Sequence, residues 1–255
     1  SGTWVRVRCS GFSAFGLWDE ESSIAVRLFS CHKVPDARWV ADRIAEAWNE
    51  REPIRATATS GYRWVYGESD GLPGVIVDLY GDYAVIKTYV ASANVLIPWI
   101  VEALPAHIRL RGVVWRQGAS KAEPLWGQLP PPDLVVEGHG LLLSANLYVG
   151  QKTGLFFDQR ENRRTLASWC QGQQVLDCFC YTGAFTLYAL RAGAASVTAC
   201  DTSAEAVQAA TQNLALNELD SKPHHFVVDD CFRFLEELAV QRRRFDVVIL
   251  DPPSF

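Results

Sequence analysis

The sequence predicts an α/β protein whose second half is a parallel sheet covered by helices on both faces. From Gly172 onward, apolar runs alternate with amphipathic stretches: Val175–Phe179, Ala184–Ala192, Ser196–Cys200, Ser203–Asn217, Phe226–Val228, Phe232–Arg242 and Phe245–Leu250. Continuously apolar strands separated by helices belong in a sheet buried on both faces. With 49% of its 255 residues hydrophobic, the chain can also bury a substantial core in one or two domains.

The first half reads differently. Trp4-Val-Arg-Val-Arg8 and Ile24-Ala-Val-Arg-Leu-Phe29 have the alternation of half-buried strands in a small β unit. Asp36 to Arg51 places Trp39, Val40, Ile44, Ala47 and Trp48 on one helical stripe, with Asp36 at its start. The turn-rich stretch Gly67 to Gly74 leads into Gly74–Tyr80 and Tyr83–Val90, a hairpin about Gly81-Asp82. Leu134–Glu137 and Leu141–Ser144 suggest a second hairpin, with His139 in its turn. Residues 119–133, with Pro124 and Pro130-Pro-Pro132, read as loop or linker.

A net charge of −5 leaves no global electrostatic footprint for nucleic acid, so any RNA contact must be local. The seven cysteines are odd in number, mostly set in apolar runs, and without the C-x-x-C spacing of a zinc site. Reduced, buried thiols and no metal are expected. No apolar run approaches the roughly 20 residues of a membrane span, and Ser1-Gly2 opens no secretory leader. A cytoplasmic protein with no membrane partner is the expectation. Met is absent, and both ends read as artificial.

The chemistry concentrates at the expected strand ends. Val175 to Phe185 is a strand, a small-residue loop and a helix start, where a nucleotide-like ligand can lie against exposed amides. It lacks the G-x-G-x-x-G that admits a pyrophosphate, while a single Gly183 with Asp177 upstream fits S-adenosylmethionine (SAM). Asp201, 24 residues after Asp177, ends the next strand, where a carboxylate can accept from both ribose hydroxyls. The competing role is a helix cap, which Thr202 or Ser203 could also fill. Asp230 can accept from an adenine amino group with the Cys231 amide against a ring nitrogen, although an Asp pair here is also a common helix cap. Asp251-Pro-Pro-Ser-Phe255 stiffens the chain after the fourth strand and exposes carbonyls, beside Asp251, able to hold the exocyclic group of a planar base.

Taken with Gly150-Gln-Lys-Thr-Gly-Leu-Phe-Phe-Asp-Gln-Arg160, these elements resemble the RlmI-type bacterial large-subunit ribosomal RNA methyltransferases. The resemblance covers nearly the whole chain. It implies a Rossmann-like class I SAM methyltransferase sheet, truncated after its fourth strand, over residues 147–255. An α+β linking or RNA-facing domain at 33–146 and a partial PUA-like β segment at 1–32 would precede it. It further implies that Phe157, Asp158, Gln159 and Arg160 line the cofactor pocket from outside the sheet, with Tyr181, Thr182 and Gly183 beneath the methionine moiety. Thr202, Ser203 and Pro252 would complete the cofactor contacts. A buried pair of Asp158 and Arg160 suits the charged amino and carboxylate groups of SAM once desolvated.

The implied product is 5-methylcytosine in ribosomal RNA. That chemistry adds a cysteine thiolate to C6 of cytosine, so that C5 can attack the SAM methyl group. The family's nucleophile lies in a later motif, expected beyond Phe255, while Cys178 and Cys180 read as packing residues. Asp251 would contact the target base. The base must be unstacked to reach the cofactor, so an RNA-gripping surface is expected. Lys152, Arg160, Arg163 and Arg164, and the Arg242-Arg-Arg244 run, are candidates. The resemblance also admits a homodimer. A guanine-N7 or amino-group methyltransferase shares every feature through Asp251-Pro-Pro. A NAD-dependent oxidoreductase shares the sheet without its glycine fingerprint, and a non-catalytic RNA-binding fragment is the alternative of another class.

Overall fold

The computed structural model describes residues 1–117, 121–148 and 153–253, so that Lys152 and the Ser254-Phe255 end of the strand-four motif lie outside the described residues. The chain divides into two units, Ser1–His139 with Ala145–Phe157, and Gly140–Ser144 with Asp158–Phe255.

The first unit opens with an antiparallel sheet of β1 (Thr3–Cys9), β2 (Phe12–Trp18) and β3 (Val26–Ser30). The middle strand has no counterpart in the sequence reading. Its Ala14 and Gly16 are too small to mark a hydrophobic alternation, yet a side chain at Gly16 would run into the Arg27 carbonyl. Helix α1 (Ala37–Glu50) forms where its stripe predicts, and the Asp36 carboxylate accepts from the Trp39 amide as its cap. Val40, Ile44 and Ala47 are buried, and the indole of Trp64 donates to the Ile44 carbonyl at 3.2 Å. A short α2 (Glu52–Arg55) follows.

Strands β4 (Gly61–Tyr66), β5 (Val75–Tyr80) and β6 (Tyr83–Thr88) form an antiparallel meander. Helix α3 (Ile97–Ala103) then crosses to β7 (Gly112–Gln117), which runs parallel to β6. The stretch read as a linker instead holds β8 (Lys121–Gly127), antiparallel to β7 at the sheet edge. Pro124 misled the reading. An edge strand tolerates a residue without an N–H, and the register shifts at Val113/Val114, opposite this proline. β9 (Leu134–Gly138) and β10 (Leu141–Ala145) both form, with His139 between them at φ 51.

A buried polar relay runs through β5. Arg63 grips Asp78 through Nε and Nη2 at 2.8 and 3.1 Å. Thr153 Oγ1 donates to Asp78 Oδ2, so it must accept from the Tyr80 hydroxyl at 3.0 Å, which in turn accepts from the Leu155 amide. Burial pushes the Tyr80 phenol up, which keeps it a donor. Gly154, at φ 135, passes under the Tyr80 hydroxyl, where a β-carbon would lie 3.3 Å away.

In the second unit, α4 (Arg160–Ala167), β11 (Gln174–Cys178), α5 (Ala184–Arg191), β12 (Ser196–Asp201), α6 (Ala204–Leu216), β13 (His224–Val228), α7 (Cys231–Val240) and β14 (Val247–Leu250) follow in turn. The strands form one parallel sheet in the order β13-β12-β11-β14, so the predicted α/β architecture stands. Reversal of strand order at β11 puts the crevice for a ligand at its carboxyl end. No helix among the described residues is long and apolar enough to cross a membrane.

Because Asp78 is fully buried, Asp78→Ala should strand the Arg63 cation and cost about 3–5 kcal/mol in urea denaturation. The double change Asp78→Leu with Arg63→Met should recover most of that loss. An equal loss in both proteins would mean that packing, not charge, matters here.

Candidate functional site

The loop from β11 to α5 is shaped by three left-handed residues, Phe179 at φ 62, Tyr181 at φ 49 and Gly183 at φ 73. Only the third is glycine, and it is needed twice over. Its φ is strained for a residue with a side chain, and a β-carbon there would sit 2.7 Å from that of Ala210 on α6. The loop was expected to present exposed amides, and most are instead used within the protein. The amide of Phe179 donates to Cys231 Sγ at 3.2 Å, that of Cys180 to the Cys200 carbonyl and that of Tyr181 to Asp201 Oδ2 at 2.8 Å. The Gly183 amide closes a turn on the Cys180 carbonyl.

Carboxylates gather at the ends of the strands. Asp201 also accepts from the Ser203 amide through Oδ1 at 2.9 Å, and Ser203, not Asp201, caps α6. Thr202 is exposed beside it. Asp230 caps α7 with Oδ1, which accepts from Phe232 and Arg233 at 3.0 Å each. Asp251 Oδ1 accepts from Gln159 Nε2 at 3.2 Å, and Pro252 is exposed.

Asp177 differs from these three. It is 1% exposed; Oδ2 accepts from Thr186 Oγ1 at 2.7 Å, while Oδ1 has no hydrogen-bond partner among the described residues. Burial pushes its pKa up to about 7, against the hydrogen bonds from Thr186; Asp251 adds to the rise and Arg163 opposes it.

The outer wall departs from expectation in two respects. Asp158 is exposed, while Arg160 is buried and bonded to Glu161, so Asp158 is not the buried acid expected beside Arg160. Arg163, expected on an RNA-gripping surface, is buried, with its guanidinium 5.6 Å from the centre of the Phe185 ring and near Asp158, Asp177 and Asp251. A cation so placed balances internal carboxylates rather than meeting phosphates. Arg164 and the Arg242-Arg-Arg244 run are exposed. Phe157 clusters with the first unit, its ring centroid 4.9 Å from that of Tyr80.

Asn213 and Thr186 escaped the sequence reading. Asn213 is fully buried in α6; it donates to the Thr182 carbonyl at 2.9 Å and accepts from the Ser144 amide at 2.8 Å. A polar residue on the apolar face of a helix was the only signal available. The thiols around the loop are inert, whereas Cys9 and Cys31, expected to be buried, are exposed. Cys178, Cys180, Cys200 and Cys231 are buried, and burial pushes every thiol up, that of Cys178 to about 12.

The donor set suits a ligand that carries positive charge and no phosphate. It pairs strand-end carboxylates and an unmatched buried oxygen with a loop lacking three glycines. A family model described as S-adenosylmethionine-dependent methyltransferase matches residues 114–255. The chain belongs to the SAM-dependent methyltransferase family. Curated relatives of the chain include proteins named ribosomal RNA large subunit methyltransferase I. That of Shewanella denitrificans is 37% identical over 94% of this chain, and that of Salmonella arizonae 34% over 95%. The chain spans 64% and 63% of their respective lengths. A solved structure from Streptococcus mutans, described as a SAM-dependent methyltransferase, shares the fold at a TM-score of 0.89 and 24% identity. The match covers 99% of this chain and 69% of that one.

Two consequences can be measured on the chain itself. Gly183→Ala should destabilise the second unit by about 1–3 kcal/mol on thermal or urea unfolding, because strain and the Ala210 contact add. Asp177 holds its proton more tightly folded than unfolded, since its ordinary value is 3.8. Stability should therefore be highest below that value and fall as pH rises towards 7, by on the order of 2–4 kcal/mol. Asp177→Asn should flatten that fall; an unchanged profile would show that the carboxyl is not buried.

Proposed function

We propose that this chain is the cofactor-binding portion of an enzyme that makes 5-methylcytosine in large-subunit ribosomal RNA. The observation that carries the reading is the placement of Asp177, Asp201, Asp230 and Asp251 at or just past the carboxyl ends of four adjacent parallel strands. The name borne by the relatives supports the substrate.

In this reading Tyr181, Thr182 and Gly183 lie beneath the methionine moiety of SAM. Asp158, Gln159 and Arg160 form the outer wall. Asp201, beside Thr202 and Ser203, takes the ribose hydroxyls, since each of its oxygens keeps a second lone pair after its backbone bond. Asp230 Oδ2, which takes no part in the cap, and the Cys231 amide receive the adenine edge. Asp251 and Pro252 face the target base. Lys152 and the exposed Arg164 contact RNA, and the enzyme works in the cytoplasm. SAM, when bound, supplies the electrophilic methyl group.

Activation of cytosine needs a thiolate, and the buried, protonated cysteines around the loop do not provide one. As the resemblance implies, the nucleophile is assigned to a later motif of the family, beyond Phe255. The same observation favours a second reading, methylation of guanine at N7 or of a base amino group, which needs no thiolate.

Mapping of modified bases on large-subunit ribosomal RNA from a deletion strain separates the two. Loss of one 5-methylcytosine is expected; loss of a methylated guanine selects the second reading, and an unchanged RNA overturns both. Asp201→Ala should weaken SAM binding by more than tenfold, about 1.4 kcal/mol, in calorimetry. An unchanged affinity in the folded variant would remove Asp201 from the ribose site.

A further inference from the structure

Two asparagines one helical turn apart on α6, Asn213 and Asn217, bond to the backbone of β10 much as a neighbouring strand would. Asn217 takes both groups of one residue, accepting from the Leu142 amide through Oδ1 at 2.8 Å and donating through Nδ2 to the Leu142 carbonyl at 2.7 Å. Asn213 takes only the next amide on that edge, that of Ser144, at 2.8 Å. Its NH2 group is directed instead to the Thr182 carbonyl, in the loop after β11, at 2.9 Å. Its partners fix which way round the Asn213 amide lies, because an N–H can only donate and a carbonyl can only accept. Asn213 is fully buried, so both of its bonds must be made within the protein. All of these residues belong to the second unit.

The Thr182 carbonyl and the Gly183 amide are the two ends of one peptide plane. Asn213 holds the carbonyl end, and the Cys180 carbonyl holds the amide end at 2.8 Å. Glycine tolerates the widest rotation of its backbone, so a peptide followed by Gly183 would otherwise turn over at little cost. Helix α5 starts from this glycine with no side-chain cap of its own.

We propose that Asn213 is a positioning residue of the cofactor site: braced on the Ser144 amide of β10, it holds the Thr182–Gly183 peptide in the orientation that receives the methionine moiety of SAM. The proposal rests on the cofactor site argued above. Asn217 provides the comparison. It docks the same strand on the same helix, yet its hydrogen bonds go to Leu142 and to the Asn213 carbonyl, and none reaches the loop. If docking of β10 were all that mattered, the two asparagines would matter alike to the ligand.

The test is calorimetric titration of the whole chain with SAM at about pH 8 and about pH 6, with urea unfolding of the same proteins. Asn213→Asp keeps the acceptor for Ser144 and puts an oxygen in place of the NH2 group. At the higher pH the ionised carboxylate repels the Thr182 carbonyl, and SAM affinity should fall about tenfold. A carboxyl buried there without a cation holds its proton well above the ordinary range. At the lower pH it therefore donates to the carbonyl again, and most of the affinity should return relative to the unaltered chain at that pH. Asn217→Ala should lower stability and leave SAM affinity unchanged. Equal losses of affinity in the two variants, a folded Asn213→Asp protein that binds SAM normally at the higher pH, or a loss that does not recover at the lower pH each overturn the proposal and leave the cofactor site intact. No binding of SAM by the unaltered chain overturns the cofactor site and the proposal with it. If Asn213→Asp does not fold, amide exchange in the unaltered chain decides. Ordering of the loop by SAM should slow exchange at Ser144 more than at Leu142, and equal slowing overturns the proposal.

Discussion

The carboxylate of Asp201 ties together two turns that are distant in sequence. One oxygen takes the Tyr181 amide in the loop after β11, and the other takes the Ser203 amide at the start of α6. Two successive strand-to-helix turns thereby share one anion and cannot shift independently. Asn213 closes the arrangement from the far side through the Thr182 carbonyl, and the Gly183–Ala210 approach sets how near α6 can come. The left-handed conformation of Tyr181 is held by its bond to Asp201 and that of Phe179 by its amide's bond to Cys231, which offset a strain of order 1–3 kcal/mol at such positions.

Beneath the loop the chemistry is that of a dry interior. The Cys231 thiol accepts from the Phe179 amide and donates to the Cys200 carbonyl, so the sulfur atoms serve as small polar packing groups. Arg163 and Asp177 sit in the same interior, where a charge persists only if another balances it. Asp201, Asp230 and Asp251 are by contrast exposed or partly exposed, and Asp201 and Asp230 accept from backbone amides.

Much of the second unit could be read from the chain alone. Continuous apolar strands announce a parallel sheet because both of their faces must be buried, and Ser203 and Asp230 stand where helix caps belong. The first unit was harder. β2 hides because Ala14 and Gly16 give no hydrophobic alternation, and β8 hides behind a proline that only an edge position tolerates. Strand order decides whether Pro124 sits at an edge, and strand order is a property of contacts far apart in the sequence.

The candidate site divides along the same line. Residue type and spacing alone placed carboxylates after each strand and a glycine at the head of α5, because strand-to-helix turns are local features with local signatures. Only the tertiary structure decided that Arg163 points inward, that Arg160 is bonded to Glu161, that the loop amides are already engaged, and that Asp177 alone among the strand-end acids is sealed from water. Burial depends on what other segments bring against a side chain, and with it go protonation, partner and role.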